Sequence, residues 1–314
     1  MAQTKELKVE NTQLIRNCFL NGQVWTKNAL ASKTGLSLAG VTNVLQELQL
    51  TSEIIYIGEA DSTGGRKSKN YLLNKDYTHL GLIVMKKVDG QEVMVGEVRN
   101  LFNELLSEVS ISSGKLEALD NLITQLQQDD KVKQVVISLP GICSSGYVDV
   151  CDFTTFEGMN LKDYLEGKHN IHVIIENDVN VACIGLSEEY PEVKHLAFIY
   201  QPASDYVGCG MIINHQLHNG FSHFAGELRY LPFYDHEVQD ELLKEYPQDL
   251  LKNQLLTLLC VMNPELIGYC SDVFEDELVI NPSFAYRHMA KLVRIHNLEE
   301  LSKKGLFNIG IRNL

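Results

Sequence analysis

The sequence predicts an α/β protein led by a small winged helix-turn-helix module. A helix–turn–helix spacing around Gly35 and Ser37 predicts the module, and a change from about His79 to strands alternating with helices predicts the rest. Charge divides the chain at the same place: residues 1–79 carry a net +2 and the remainder −16, within a total of −14 over 314 residues. The expected domains are residues 1–78 and 79–314.

In the first domain, one short helix ends at Gly35, which tolerates the left-handed backbone that stops a helix. The next opens at Ser37, whose hydroxyl can cap free amides. Ala31, Val41, Val44, Leu45 and Leu48 fall on the inward faces. Ser37, Leu38, Ala39, Thr42, Asn43 and Gln46 then face outward, short and polar enough to meet base edges in a major groove. An amphipathic helix precedes them, with Leu14, Ile15, Cys18 and Phe19 on one side and Asn21-Gly22 as its stop. Downstream, residues 53–59 and 70–74 read as two strands joined by a glycine-rich basic turn. Arg66, Lys67 and Lys69 of that turn are candidate phosphate or minor-groove contacts.

Beyond His79, Leu80–Met85 and Glu92–Val98 pair around Asp89-Gly90, and Leu116, Leu119, Leu122, Ile123 and Leu126 make a helical stripe. Val135–Leu139 is a buried strand ending in Pro140-Gly141, and His172–Ile175 another, ending in Glu176-Asn177-Asp178. His195–Tyr200 and Val207–Ile213 follow as strands, and residues 237–262 as a helical run. Polar residues at such strand ends line the ligand cleft of open α/β folds.

Composition excludes several classes. A pI near 5.2 is incompatible with non-specific coating of nucleic acid, so only the amino-terminal face is suited to a duplex. No uncharged apolar stretch approaches the ~20 residues of a membrane span, and the opening Met-Ala-Gln-Thr-Lys-Glu is polar, so neither membrane partner nor secretory signal is expected. Seven scattered cysteines without a Cys-x-x-Cys pair fit reduced thiols and a cytoplasmic location. His215, His218 and His223 read as a solvated loop, so no metal is expected.

Five segments occur in order: Gly64-Gly65-Arg66, Leu139-Pro140-Gly141-Ile142, Glu176-Asn177-Asp178-Val179-Asn180, Gly208-Cys209-Gly210 with Asn214, and Gly220 with Ala225-Gly226-Glu227. Together with the winged module they resemble the ROK family (repressors, open reading frames and kinases), in its repressor branch, over roughly residues 10–282. The resemblance implies a two-lobed, actin-like domain of the sugar kinase and Hsp70 type, in a dimer or tetramer. It also implies that Asn177, Asp178 and Glu227 hydrogen-bond a sugar, the aspartate being the kinases' general base.

Departures from the family matter as much. Its kinases hold ATP phosphates on an Asp-x-Gly-(Gly)-Thr loop, where this sequence has Ile83 for the aspartate and Met85 and Lys86 for glycines. Side chains there block close phosphate approach. Tyr206 precedes Gly208, Ile267-Gly268-Tyr269 replaces a later Gly-Gly, and Tyr230 stands at a zinc-ligand histidine with no cysteine cluster after it. Phosphoryl transfer depends on positioning, so no catalytic residue, cofactor or metal is expected. The resulting expectation is a regulator that binds an operator as a dimer, at half-sites about 34–36 Å apart or multiples of this, and whose cleft closes on a sugar-like effector. The alternatives are an active ATP-dependent sugar kinase with an appended DNA-binding module, and a ligand-independent regulator controlled by a protein partner.

Overall fold

The structure, a computed structural model, describes residues 2–20, 22–59, 67–203, 207–232, 235–280 and 283–314, with side chains from residue 7 onward except His236. Arg66 and Tyr206 lie outside the described residues. The chain divides into two compact units: residues 1–81, 97–108 and 126–133, and residues 82–96, 109–125 and 134–314.

The first unit begins with α1 (Ala2–Phe19), β1 (Trp25–Thr26), α2 (Lys27–Thr34), α3 (Leu38–Leu50), β2 (Ile54–Glu59) and β3 (Lys69–Leu73). Thr26 caps α2 by accepting the Ala29 N–H at 3.2 Å, and Ser37 caps α3 by accepting the Gly40 N–H at 3.1 Å. Between them Gly35 takes φ +73° and donates its N–H to the Ala31 carbonyl. Ile15 and Phe19 of α1, Leu30 of α2, and Val41 and Leu45 of α3 are fully buried around Tyr71 and Leu101. Each such side chain contributes about 1.5–3 kcal/mol. One expectation is corrected here: Leu14 is 46% exposed. Leu30 is the fully buried residue of α2, and Ala31 packs partly buried against the same cluster. Trp25, which had no assigned role, starts β1, pairs with Tyr71 of β3 and donates its indole N–H to the Cys18 carbonyl at 2.7 Å. Arg16 clamps the buried Glu53 carboxylate bidentately at 2.5 and 2.8 Å, tying α1 to the start of the hairpin.

The remaining elements are β4 (His79–Val88), β5 (Gln91–Asn100), β6 (Leu105–Ile111), α4 (Leu116–Leu126), β7 (Val132–Leu139), β8 (Gly141–Ser144), β9 (Tyr147–Cys151), α5 (Leu161–His169), β10 (His172–Asn177) and α6 (Asp178–Glu189). They continue with β11 (His195–Gln201), β12 (Gly208–Ile213), β13 (Gln216–Leu217), α7 (His236–Glu245), α8 (Pro247–Val261), β14 (Leu266–Ser271), β15 (Lys291–Arg294) and α9 (Leu298–Arg312). One five-stranded sheet runs β10-β7-β4-β5-β6 and a second β13-β12-β11-β14-β15. β7 and β10 are parallel, pairing Ser138 with Glu176 and Leu139 with Asn177. β11 and β14 are also parallel, which explains their near-continuous apolar runs. The expected single helical run at 237–262 is two helices, because Pro247 lacks an N–H and opens α8 instead of continuing α7.

α6 and α9 approach backbone to backbone at two glycines. A methyl group at Gly185 would overlap the Leu301 carbonyl, and one at Gly305 would overlap the Val181 carbonyl. Glycine is required at both positions for the backbones to meet.

Candidate functional site

The second unit contains a cavity of about 660 Å³, lined by the ends of β4, β7 and β10, the first turn of α6, the β8–β9 hairpin and the segment around Glu227. Asn177, Asp178 and Glu227, proposed from the sequence as a set, all line it. Their local roles differ. Asn177 is the N-cap of α6: its Oδ1 accepts the Val179 and Asn180 N–H groups at 3.0 Å each, and its Nδ2 donates to the Gly141 carbonyl at 2.9 Å. One amide hydrogen is left for a ligand, so Asn177 chiefly positions its neighbour.

Asp178 is the first residue of α6. Burial, reinforced by the negative charge of Asp152 and opposed by backbone N–H groups, pushes its carboxyl up to about 7. Burial also raises the carboxyl of Glu227. Gly226 (φ +100°) makes that placement possible, because a side chain there would overlap the Cys209 carbonyl. Neither carboxylate accepts a side-chain hydrogen bond among the described residues. Tyr230 lies over half exposed at the cavity wall, its ring 5.1 Å from that of Phe224.

The stretch standing at the family's phosphate loop is occupied by side chains. Ile83 is fully buried, while Val84, Met85, Lys86 and Lys87 line the cavity. Lys86 makes a 2.6 Å ion pair with Glu299, and Lys87 lies 3.8 Å from Asp152. Gly208 and Gly210 serve a packing purpose: side chains there would crowd Val179 and Cys183 of α6. Gly268, in the stretch read as having lost a Gly-Gly pair, has a packing role. It is buried within β14 against Leu186 and is not part of the cavity wall, whereas Asp272, just past the end of β14, is. Sequence reasoning also missed Asp152, Ser138 and the Tyr200–Asp272 hydrogen bond of 2.6 Å beside the cavity. The available signal was position: each of these polar residues stands within one position of a strand end.

In the first unit, Ser37, Leu38, Ala39, Asn43 and Gln46 are exposed and Thr42 is half-buried; Ala39, Asn43 and Gln46 lie on the side of α3 opposite its buried stripe. Ser37 is occupied as the cap of α3. Lys67 and Lys69 are exposed, but neither stands alone: Lys67 lies 3.8 Å from Glu59, and the Lys69 ammonium sits 5.5 Å above the Tyr56 ring. No group of three His, Cys, Asp or Glu side chains suited to a metal occurs among the described residues. No described helix is long and apolar enough to cross a membrane.

Two sheets with a cavity at their strand ends define an α/β fold of the sugar-kinase kind. A ROK-family glucokinase from Streptomyces griseus, solved with glucose and AMPPNP, has a similar fold, with a TM-score of 0.52 at 13% identity over 74% of this chain and 98% of that one. A ROK-family transcriptional regulator, a homologue of the E. coli MLC protein, matches over 98% of this chain and 100% of its own, with a TM-score of 0.66 at 14% identity. Residues 105–239 match the model of the ROK family. Among curated relatives, the xylose repressor of Bacillus subtilis is 26% identical over 245 residues, 73% of this chain and 62% of the relative. The xylose repressor of Caldicellulosiruptor bescii is 26% identical over 238 residues, 71% of this chain and 58% of the relative. The chain thus spans about 62% of the length of the B. subtilis relative.

Proposed function

We propose that this protein is a sequence-specific transcriptional regulator that senses a sugar and does not phosphorylate it. The observation carrying this reading is the composition of one cavity. The cavity carboxylates Asp178 and Glu227 are without side-chain hydrogen-bond partners among the described residues, while the stretch read as the phosphate loop is filled by Met85 and by Lys86 paired to Glu299. A carboxylate accepts hydroxyl donors well, whereas close phosphate approach needs backbone without side chains.

The first unit is read as a winged helix-turn-helix. Its α3 buries Val41, Val44, Leu45 and Leu48 and presents Asn43 and Gln46 on the opposite side, side chains that can pair bidentately with adenine edges. The relatives' names as xylose repressors support both halves of the proposal. Sugar binding would alter operator affinity by the ~1–3 kcal/mol typical of coupled sites.

The test measures operator binding by fluorescence anisotropy on DNA upstream of the protein's own gene, with and without a panel of sugars, alongside a coupled assay for ATP consumption. Operator release by one sugar with no ATP turnover is expected. Sugar-dependent ATP hydrolysis, or loss of no affinity on deleting residues 1–79, would overturn the reading.

A further inference from the structure

Ser138 is the one polar side chain in an otherwise apolar end of β7, where Val135, Val136, Ile137 and Leu139 are fully buried. It is 1% exposed, lines the same cavity as Asp178 and Glu227, and its hydroxyl has no hydrogen-bond partner among the described residues. Buried hydroxyls in folded proteins nearly always pair, and each exception calls for an explanation. An alanine at this place would satisfy the strand and leave no orphaned polar atom, so folding does not account for the hydroxyl. A ligand entering the cavity does.

We propose that Ser138 contacts the effector, and that with Asp178 and Glu227 it selects an uncharged polyol over a phosphorylated or carboxylated sugar. The proposal rests on the sugar-sensor reading above. A serine hydroxyl both donates and accepts, so it matches a sugar hydroxyl or ring oxygen, while the two carboxylates, when ionised, only accept and call for hydroxyl donors. Anions meet an unfavourable wall. Asp89, Asp152, Asp178, Glu227, Asp272 and Glu299 line the cavity against Lys86 and Lys87, and Lys86 is already matched by Glu299 at 2.6 Å. Within a partly desolvated site, like charge discriminates strongly against a phosphate ester, a repulsive form of specificity.

The experiment is calorimetric titration of the full chain with uncharged pentoses, hexoses and N-acetylhexosamines and with their phosphate esters, repeated on Ser138→Ala. The wild type is expected to bind an uncharged sugar at least about tenfold more tightly than its phosphate ester. Ser138→Ala is expected to weaken that sugar about three- to tenfold. Its ligand-free melting temperature should be equal or higher and its operator affinity unchanged, which separates a contact from a structural role. Tighter binding of a phosphate ester, or equal affinity in Ser138→Ala, overturns this inference and leaves the sensor reading standing. If the wild type binds none of the panel, both fall together.

Discussion

Lys86, at the cavity end of β4, holds Glu299, in the first turn of α9, at 2.6 Å. The hydrogen bond from Lys86, with a second contribution from Lys303, keeps the Glu299 carboxyl down at about 2. The pair stands where the ROK kinases have a glycine of the phosphate loop. The cation and the carboxylate satisfy each other, and the fold there needs no bound anion to be electrically balanced.

Nucleotide binding is accordingly expected to be absent. Titration of the full chain with ATP and magnesium at about 1 mM should give no heat beyond dilution, since positioning of the phosphates is what this reaction class requires. Lys86→Ala should not restore it, and because both partners are more than a third exposed should cost only about 0.2–1 kcal/mol of stability. Micromolar affinity for ATP in the wild type would refute the expectation.

Asp178→Asn keeps the side chain's shape and removes its charge. Effector affinity should fall roughly ten- to hundredfold, at ~1.4 kcal/mol per decade, while ligand-free operator affinity stays as in the wild type. Equal effector response in the variant would place the sensing site elsewhere; joint loss of melting temperature and DNA binding would mark Asp178 as structural.

The pH dependence has a definite sign. The ordinary value for the Asp178 carboxyl is 3.8, and in the fold it is pushed up to about 7. The proton is retained by the native state between these values, so this residue's contribution to stability is fully present below 3.8 and is lost as pH rises through about 7. The melting temperature of Asp178→Asn relative to wild type should therefore climb from pH 4 to 7. A sugar hydroxyl donated to the carboxylate favours its ionised form, so effector affinity should increase with pH through about 7 and then level off. Calorimetry in two buffers of different ionisation enthalpy should register proton release on binding; proton uptake would contradict the assignment.

On the DNA side, Asn43→Ala and Gln46→Ala should each remove about 1–3 kcal/mol of discrimination between operator and mutated operator. Lys67→Ala should instead weaken all sequences alike and flatten the salt dependence. The Glu59 carboxylate at 3.8 Å already screens Lys67, so its effect should be the smaller. An Asn43→Ala variant with unaltered sequence preference would remove α3 from the base-reading role.

What the sequence revealed and what it concealed have a common physical basis. Local signals survived: the cap at Ser37, the left-handed Gly35 and the buried stripe of α3 depend on residues within a few positions of one another. The grouping of Asn177, Asp178 and Glu227 was reached through motif order, although the capping duty of Asn177 could have been read from its place before α6. Non-local facts were hidden. Nothing in the sequence of Lys86 announces Glu299, more than 200 positions away, and the burial of Ser138 depends on the sheet that surrounds β7. The packing role of Gly268 was hidden for the same reason: it depends on Leu186, which the fold places beside it.

The glycine crossing of α6 and α9 has a mechanical consequence. Where Gly185 meets the Leu301 carbonyl and Gly305 meets the Val181 carbonyl, main chain rests on main chain. At these two points no side chain separates the helices, so a displacement of one there presses directly on the other. On the proposed sensor reading, a ligand that draws on Asp178 at the head of α6 would carry α9 with it, out to the last turn near Arg312. A fluorophore placed at that terminus would report occupancy of a cavity it never touches.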